Sequence, residues 1–439
     1  MNSFDTVIAG GSVVTPEGVR RADLGIVDGR IAALEPELPG ANRIDAAGCH
    51  IFPGVIDAHV HFNEPGRTEW EGIATGSAAV AAGGGTMFFD MPLNAHPPTL
   101  DAASFRLKQE AAEAKSVVDF ALWGGLTPGN LDQLGALADC GVIGFKAFMC
   151  GSGIDDFASA DTATLRAGMK RAAALGLLVA VHAESDALTA RRDGAQIRDY
   201  LNSRPIAAET EAIRLALDLA GETGCALHVV HVSSAAGVRL ISEARSRGVD
   251  ATCETCPHYL ILTDEDVERL GAVAKCAPPL RTRAEQEALW RPLLAGEIAT
   301  VGSDHSPSPP EMKKDADFFK VWGGISGAQH VLPLLRTRGM EPSLLAKVTS
   351  ANVAQRFNLP PQKGSIAVGT DADLALVELN AEFEVTASDL QYRHRQSPYL
   401  GRRLRGVVRR TLVRGATVFH AGKIVSAPRG RLIRPVVSG

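Results

Sequence analysis

No run of apolar residues in this chain approaches the roughly 20 needed to cross a bilayer as a helix, so a helical membrane protein is excluded. The opening stretch, MNSFDTVIAGGSVV, lacks a basic segment and places Asp5 ahead of its short apolar run. A secretory leader is therefore not expected. An excess of positive charge is missing too: 45 Lys and Arg stand against 50 Asp and Glu, a net charge of −5. Nothing electrostatic favours nucleic acid or an anionic membrane as a partner. Cysteine is sparse, seven residues in an odd, scattered set, which argues against a disulfide framework and for a reducing compartment. The expected setting is the cytoplasm. What is present is the balance of a globular protein, 45% hydrophobic and 22% charged over 439 residues, enough for a large barrel plus an accessory domain.

The ends and the middle differ in texture. Residues 1–53 read as short strands broken by turns, with Asp28-Gly29 in a hairpin position. The stretch from residue 362 to 439 repeats that pattern, with Ala421-Gly422 as another turn. One small β-sandwich built from both termini is expected. Between them, over residues 54–361, short apolar runs alternate with helical stretches such as 101–116 and 207–224, the pattern of repeated βα units. Eight candidate strands cover 54–61, 85–91, 116–124, 141–148, 176–183, 226–232, 249–255 and 298–304. Together they specify an α/β fold, a distorted TIM (β/α)8 barrel, whose chemistry sits at the C-terminal ends of the strands.

Metal-capable side chains sit at five of those ends. The first strand finishes in His59-Val60-His61. Side chains alternate along a strand, so two histidines two apart face the same way and can share one ion. The fourth strand ends near Lys146, the fifth at His182, the sixth at His231 and the eighth at Asp304. A lone histidine at a strand end is more often structural; a whole set at one barrel mouth points to a metal centre.

Lys146 is the odd member, because a buried ammonium is costly and repels cations. One reading is an ordinary lysine paired with a loop carboxylate. The other starts from burial, which depresses the amine's pKa and leaves it neutral and nucleophilic. Such an amine can add carbon dioxide and become a carbamate, a two-oxygen anionic bridge. Two ions about 3.5–4 Å apart need a bridging anion of that kind.

With HxH on strand one, Lys on four, His on five and six and Asp on eight, the chain resembles the amidohydrolase superfamily in its binuclear, carboxylated-lysine branch. The flanking segments DAHVHFNEPGRTEWEG, FFDMPLNAHPPT, GFKAFM, VHAE, HVSSAAGVRLI, ETCPHYL, KCAPPLR, SDHSP and WGGISG are similar to those of the cyclic-amide hydrolases, and the likeness runs to SPYLGRRLRG near residue 406. NEPGRTEWEG, MPLN, ETCPHYL and WGGISG look most like the allantoinases of that family. The resemblance implies that His59 and His61 hold one divalent ion and His182 and His231 the other. It implies further that N6-carboxylated Lys146 and a hydroxide bridge them, and that Asp304 completes the first site. Zinc suits such a donor set, as do cobalt, manganese, iron or nickel. Asp304 is then the general base that takes a proton from the attacking hydroxide and the acid that returns it to the leaving nitrogen. The implied reaction opens the ring of (S)-allantoin to allantoate, in a homotetramer.

Three substrates compete. Dihydroorotases place a carboxylate-binding arginine two residues after HxH, where this chain has Asn63. Asparagine offers amide hydrogen bonds without charge, which suits an uncharged substrate such as allantoin. Hydantoinases carry a substrate-facing tyrosine about five residues after the lysine, where this chain has Gly151. Asn63, Asn94 and the backbone at Ala277 are the expected substrate contacts. Trp70 and Trp322 are expected to pack over the mouth, and His305 is placed to orient Asp304. Cys253 and Cys256 have CxxC spacing without a second pair or a histidine partner, so no zinc-finger or redox role is expected. The basic run RRLRGVVRR at 402–410 reads as a solvated or oligomer-facing surface in an acidic chain.

Overall fold

The computed structural model describes residues 4–189 and 194–437. Residues 1–3 and 438–439 of the expected end domain lie outside the described residues. The chain opens with β1 Thr6–Ala9, β2 Ser12–Thr15, β3 Gly18–Arg21, β4 Asp23–Val27, β5 Arg30–Glu35, β6 Arg43–Asp45 and β7 His50–Pro53. The middle supplies β8 Val55–Val60, β9 Gly85–Asp90, β10 Asp119–Leu122, β11 Gly124–Gly125, β12 Phe145–Phe148, β13 Val179–His182, β14 Leu227–Val229, β15 Ala251–Thr255 and β16 Thr300–Val301. Closing the chain are β17 Leu374–Glu384, β18 Arg403–Val413, β19 Ala416–His420 and β20 Lys423–Ile424.

The two ends build two sheets. One runs β5-β4-β1-β6, the other β20-β19-β18-β17-β7-β2-β3, so N-terminal β7 lies between C-terminal β17 and N-terminal β2. Ile8, Val13, Leu24, Ile31, Ile51, Leu374 and Leu412 fill the core between them. Asp28 and Gly29 both adopt positive φ, 50° and 76°, the geometry that lets a two-residue turn follow the strand twist from β4 to β5. The basic run is strand β18, where Arg405 and Arg409 pair across to Glu382 and Glu378 at 2.9 and 2.6 Å.

The middle strands pair in parallel and in chain order, β8-β9-β10 and then β11-β12-β13-β14-β15-β16. Strands β10 and β11 are one run interrupted at Trp123, whose backbone N–H donates to Asp90 O at 3.1 Å. Last meets first where the His61 N–H donates to His305 O at 2.8 Å and Val60 bridges His305 in parallel. Each expected strand contains an observed one, and most are shorter than expected. The fourth starts at Phe145 because Gly141, at φ 91°, ends a helix over Leu134–Cys140. The eighth stops at Val301 because the chain bends to present Asp304 at φ 45°.

The two helical stretches form as expected. Asp101 caps Ala102–Lys115 by accepting from Ser104 N at 2.7 Å, and Gly224 in the left-handed region ends Ile206–Thr223. Phe357 plugs the barrel floor, its ring 5.1 Å from Phe89 and 5.4 Å from Trp123. The opposite end stays polar. After β20 the chain returns to the barrel, where Gly430 N–H donates to Ser116 O at 2.9 Å and Ile433 N–H to Phe120 O at 2.8 Å. Among the described residues, no helix is long and apolar enough to cross a membrane.

Candidate active site

His59 lies on β8 and His61 directly follows it, so one extended segment delivers both imidazoles to the mouth. Asp304 arrives from the bend after β16, with its Oδ1 3.2 Å from His59 Nε2 and 3.4 Å from His61 Nε2. His182 ends β13, and His231 sits two residues past β14 at φ 41°. Those two rings face each other through His182 Nδ1 and His231 Nε2 at 3.1 Å, and the His231 ring centroid is 5.4 Å from that of His59. Backbone held at positive φ in non-glycine residues costs of order 1–3 kcal/mol and persists where surroundings enforce it. Here it aims two side chains inward.

Lys146, on β12, is fully buried, and its Nζ has no hydrogen-bond partner among the described residues. Burial drives its pKa down to about 7 against the opposing charges of Asp304 and Glu254. The ammonium position lies 4.9 Å from the Phe148 ring, which stacks on His182 at 4.6 Å. Burial likewise holds His59 down to about 4 and His231 well below its usual range. Burial works against ionisation of Asp304, yet His59, His61 and His231 keep it a carboxylate, well below its ordinary value. Neutral imidazoles and an ionised carboxylate are the forms that bind metals.

Further groups behind these residues were not foreseen from the sequence. Glu254, fully buried, meets His59 Nδ1 at 2.8 Å. Glu184 Oε2 meets His182 Nε2 at 2.8 Å and accepts from Arg204 Nη2 at 2.6 Å. Against burial, Arg204 and His182 hold Glu184 at about 2, so it is an acceptor. These contacts set the tautomers. With its Nε2 proton on Glu184, His182 turns an Nδ1 lone pair to His231. Burial pushes Glu254 up to about 8; where a cation at the mouth favours its ionised form, Glu254 takes the Nδ1 proton and His59 turns an Nε2 lone pair to the mouth. Imidazole nitrogens of four histidines and the Asp304 carboxylate thus converge at 3.1–3.4 Å, with burial keeping the imidazoles neutral. The donor set therefore fits divalent metal. Ligand atoms of His59, His61 and Asp304 all lie within 4.8 Å of one another. Those of Cys150, His182 and Glu184 do as well. There Arg204 already neutralises Glu184, and burial pushes the Cys150 thiol up to about 12, so that trio supports His182.

A cavity of about 310 Å³ opens over this cluster, lined in part by His59, His61, His182, His231, Asp304 and Asn94. Clefts of 550 and 850 Å³ elsewhere hold none of these groups, so chemistry and not size selects the site. Asn94 and Ala277 line the cavity as expected. Asn63 does not: at φ 63° its side chain is buried and donates from Nδ2 to Pro307 O at 3.4 Å. Asn94 places its amide 3.3 Å from His61 Nδ1, beside an expected ligand as well as the cavity. His305 does not orient Asp304. Its Nδ1 accepts from Gly327 N at 3.2 Å and its ring lies 4.8 Å from Tyr392. Ser306 does the orienting, donating from Oγ to Asp304 Oδ1 at 3.0 Å. Trp70 and Trp322 meet edge to face at 4.7 Å, and Trp322 forms part of the wall. All seven cysteines are free thiols.

Residues 50–418 match the pattern of the amidohydrolase family. The chain belongs to the amidohydrolase family. Membership implies a divalent-metal centre, in keeping with the donor set at the mouth. Over 99% of its length the chain is 56% identical to a protein of Rubrobacter xylanophilus named allantoinase, of which 98% is covered. It is 55% identical to one of Deinococcus radiodurans with the same name, covering 99% of each. Among solved structures, an L-hydantoinase (dihydropyrimidinase) from Arthrobacter aurescens superposes with a TM-score of 0.95 at 34% identity, covering 98% of this chain and 100% of that one. A D-hydantoinase superposes with a TM-score of 0.91 at 32% identity, covering 99% and 100%.

Proposed function

We infer that this chain hydrolyses the cyclic amide of allantoin to give allantoate. Full-length identity of 56% and 55% to proteins named allantoinase carries this reading. Hydantoinases share the fold at 34% and 32% identity, which makes hydrolysis of hydantoin or dihydropyrimidine the second reading. Likeness in fold is common to both activities, so the greater sequence identity decides between them.

We propose that His59, His61 and Asp304 hold one divalent ion, and that His182 and His231 hold a second. N6-carboxylated Lys146 is proposed to bridge them. A buried amine pushed down to about 7 and lacking any partner is primed to add carbon dioxide. When bound, the metal pair supplies Lewis acidity toward the ring carbonyl and acidifies a water. Imidazole and carboxylate donors suit zinc, and also cobalt, manganese, iron or nickel.

Asp304 takes the proton as the water oxygen bonds to the ring carbonyl carbon. It then delivers that proton to the ring nitrogen as the C–N bond breaks. Ser306, donating to Oδ1 at 3.0 Å, fixes which carboxylate edge faces the reacting atoms. Asn94 and the backbone at Ala277 hold the ring; Asn63 supports the loop from behind. The barrel over residues 54–361 carries the chemistry, and the strands within residues 4–53 and 374–424 form its β-sandwich companion, after which the chain returns to the barrel. We propose a homotetramer in the cytoplasm. The test is metal-loaded protein given allantoin, hydantoin, dihydrouracil and dihydroorotate in parallel: allantoin is turned over fastest, and a faster rate on any other sinks the reading.

A further inference from the structure

Lys275 of the cavity wall and Lys313 behind that wall play no part in the reaction above. Lys275 is buried, and its Nζ donates to the carbonyls of Phe318, Phe319 and Val321 at 2.7, 3.2 and 2.5 Å. Lys313 Nζ donates to the carbonyls of Ala272, Trp322 and Gly324 at 3.3, 3.1 and 2.9 Å. An ammonium has three donors, and each of these spends all three on backbone oxygens. Five of the six acceptors belong to one segment, residues 318–324. Phe319, Lys320, Val321, Trp322, Gly323 and Gly324 of that segment line the cavity over the metal ligands.

That segment has no helix or strand of its own to hold it. Phe318 N–H donates to Ala195 O at 2.8 Å, and two further backbone bonds reach the lysines' own segments. Gly324 N–H donates to Lys275 O at 2.7 Å, and Trp322 N–H to Met312 O at 2.9 Å, next to Lys313. Lys275 Nζ also lies 4.5 Å from the Tyr200 ring, and Tyr200 OH donates to Cys276 O at 2.9 Å, beside Ala277. Gly324, at φ 149°, has no room for a side chain: an added Cβ would meet Ser306 O at 2.0 Å. The segment is therefore pressed against the residue that bonds Asp304, and besides its backbone bonds it is held by the Phe318 and Phe319 rings against Tyr200 at 5.5 and 5.7 Å and by Trp322 against Trp70 at 4.7 Å.

We propose that Lys275 and Lys313 are positioning residues that clamp 318–324 by its carbonyls and so set the shape of the substrate-binding wall. The clamp rests on the functional reading above for its substrate. Its effect falls on binding and substrate selectivity, since neither ammonium reaches the metal ligands through the bonds it makes. Burial lowers Lys275 to about 8 and Lys313 to about 7, while three carbonyl oxygens around each Nζ favour the protonated form. Hydrogen bonds from a charged donor are about twice as strong as neutral ones, so removing one lysine takes that donor from its carbonyls.

The experiment compares full-length, metal-loaded wild type with Lys275→Met and Lys313→Met. Each variant is expected to raise KM for allantoin roughly tenfold while kcat stays within about threefold, the pattern of lost ground-state binding. Amide hydrogen exchange across 318–324 should quicken, preference for allantoin over hydantoin should shrink, and metal per chain should stay at the wild-type value. Wild-type KM with wild-type exchange in both variants overturns the clamp. A fall in kcat with loss of metal and unchanged KM overturns it as well, by placing the lysines in support of the metal centre. Lys313 is only half-buried, so its variant keeps the test alive if Lys275→Met does not fold. If the wild type itself fails to open allantoin, the functional reading falls, while the exchange measurement still decides the clamp.

Discussion

Two buried lysines at opposite ends of the barrel show how one residue type serves two purposes. At the floor, Lys363 is ringed by Asp119, Asp371 and Asp373 at 2.7, 2.9 and 2.6 Å, and Arg414 pairs with Asp119 as well. Burial works to lower its pKa, but Asp373 and Asp119 overcome that and hold it above the ordinary lysine range. At the mouth, Lys146 is as deeply buried, makes no hydrogen bond among the described residues, and is pushed down to about 7. A lysine kept for structure is surrounded by carboxylates; one kept for chemistry is left without a partner. In the proposed centre, a carbamate formed on Lys146 would be the anion that bridges two divalent ions.

Breaking the mouth should cost turnover and leave the fold. Asp304→Asn keeps the carboxylate's shape but cannot accept the proton, and kcat should fall by about 10²–10⁴-fold. Steady-state kinetics at matched metal content measures this, and near-normal turnover removes Asp304 from its role. Breaking the floor should do the reverse. Lys363→Ala strands three carboxylates beside Arg414, and loss of one partner of a buried pair costs about 3–5 kcal/mol. Urea unfolding reads that loss, while kcat of the folded fraction should match wild type; an unchanged midpoint contradicts the account.

A smaller effect is expected one layer behind the ligands. Glu254→Gln removes the carboxylate from His59 Nδ1, and outer partners of this kind are worth about 10–100-fold in metal affinity or activity. Competition with a chelator measures it. The space is tight, because a Cβ at Gly302 would meet Glu254 Oε2 at 2.5 Å. Affinity equal to wild type would show that Glu254 is packing alone.

The lysines should also differ in sign against pH. For Lys146 the folded pKa, about 7, lies below the unfolded value. The unfolded chain then binds more protons between the two, so stability rises with pH across that window. In metal-free protein, wild type should gain on Lys146→Met by about 1.4 kcal/mol per pH unit from about pH 7 upward. Lys363, whose folded pKa is raised, contributes stability present below the unfolded value and lost as pH rises past the folded one. Denaturant midpoints at pH 7, 8 and 9 decide the matter, and a flat wild-type-minus-variant difference at Lys146 removes the lysine from this argument.

The proposed ligands were legible because they mark strand ends at one barrel mouth, and His59 and His61 announce themselves by i, i+2 spacing. What supports them was not, because each partner lies far away in the chain. His59 meets Glu254 across 195 residues, and Lys275 meets Val321 across 46. Glu184 is the exception. It stands two residues after His182, and that spacing in VHAE was a signal available to find it. Asn63 shows the opposite limit: residue type suggested a substrate contact, but a backbone φ of 63° turns the side chain to Pro307. Likewise the adjacency of His305 to Asp304 suggested an orienting role that Ser306 fills, since consecutive side chains point apart.

The central claim is that these residues gather a metal pair bridged through Lys146. Elemental analysis of purified wild type beside Lys146→Ala, each followed by allantoin turnover, tests it most directly. The account predicts about two divalent ions per wild-type chain, at least one fewer in the variant with turnover lost, and partial recovery when a short carboxylic acid is added. A variant that retains the full metal complement and turns over allantoin at the wild-type rate would contradict it.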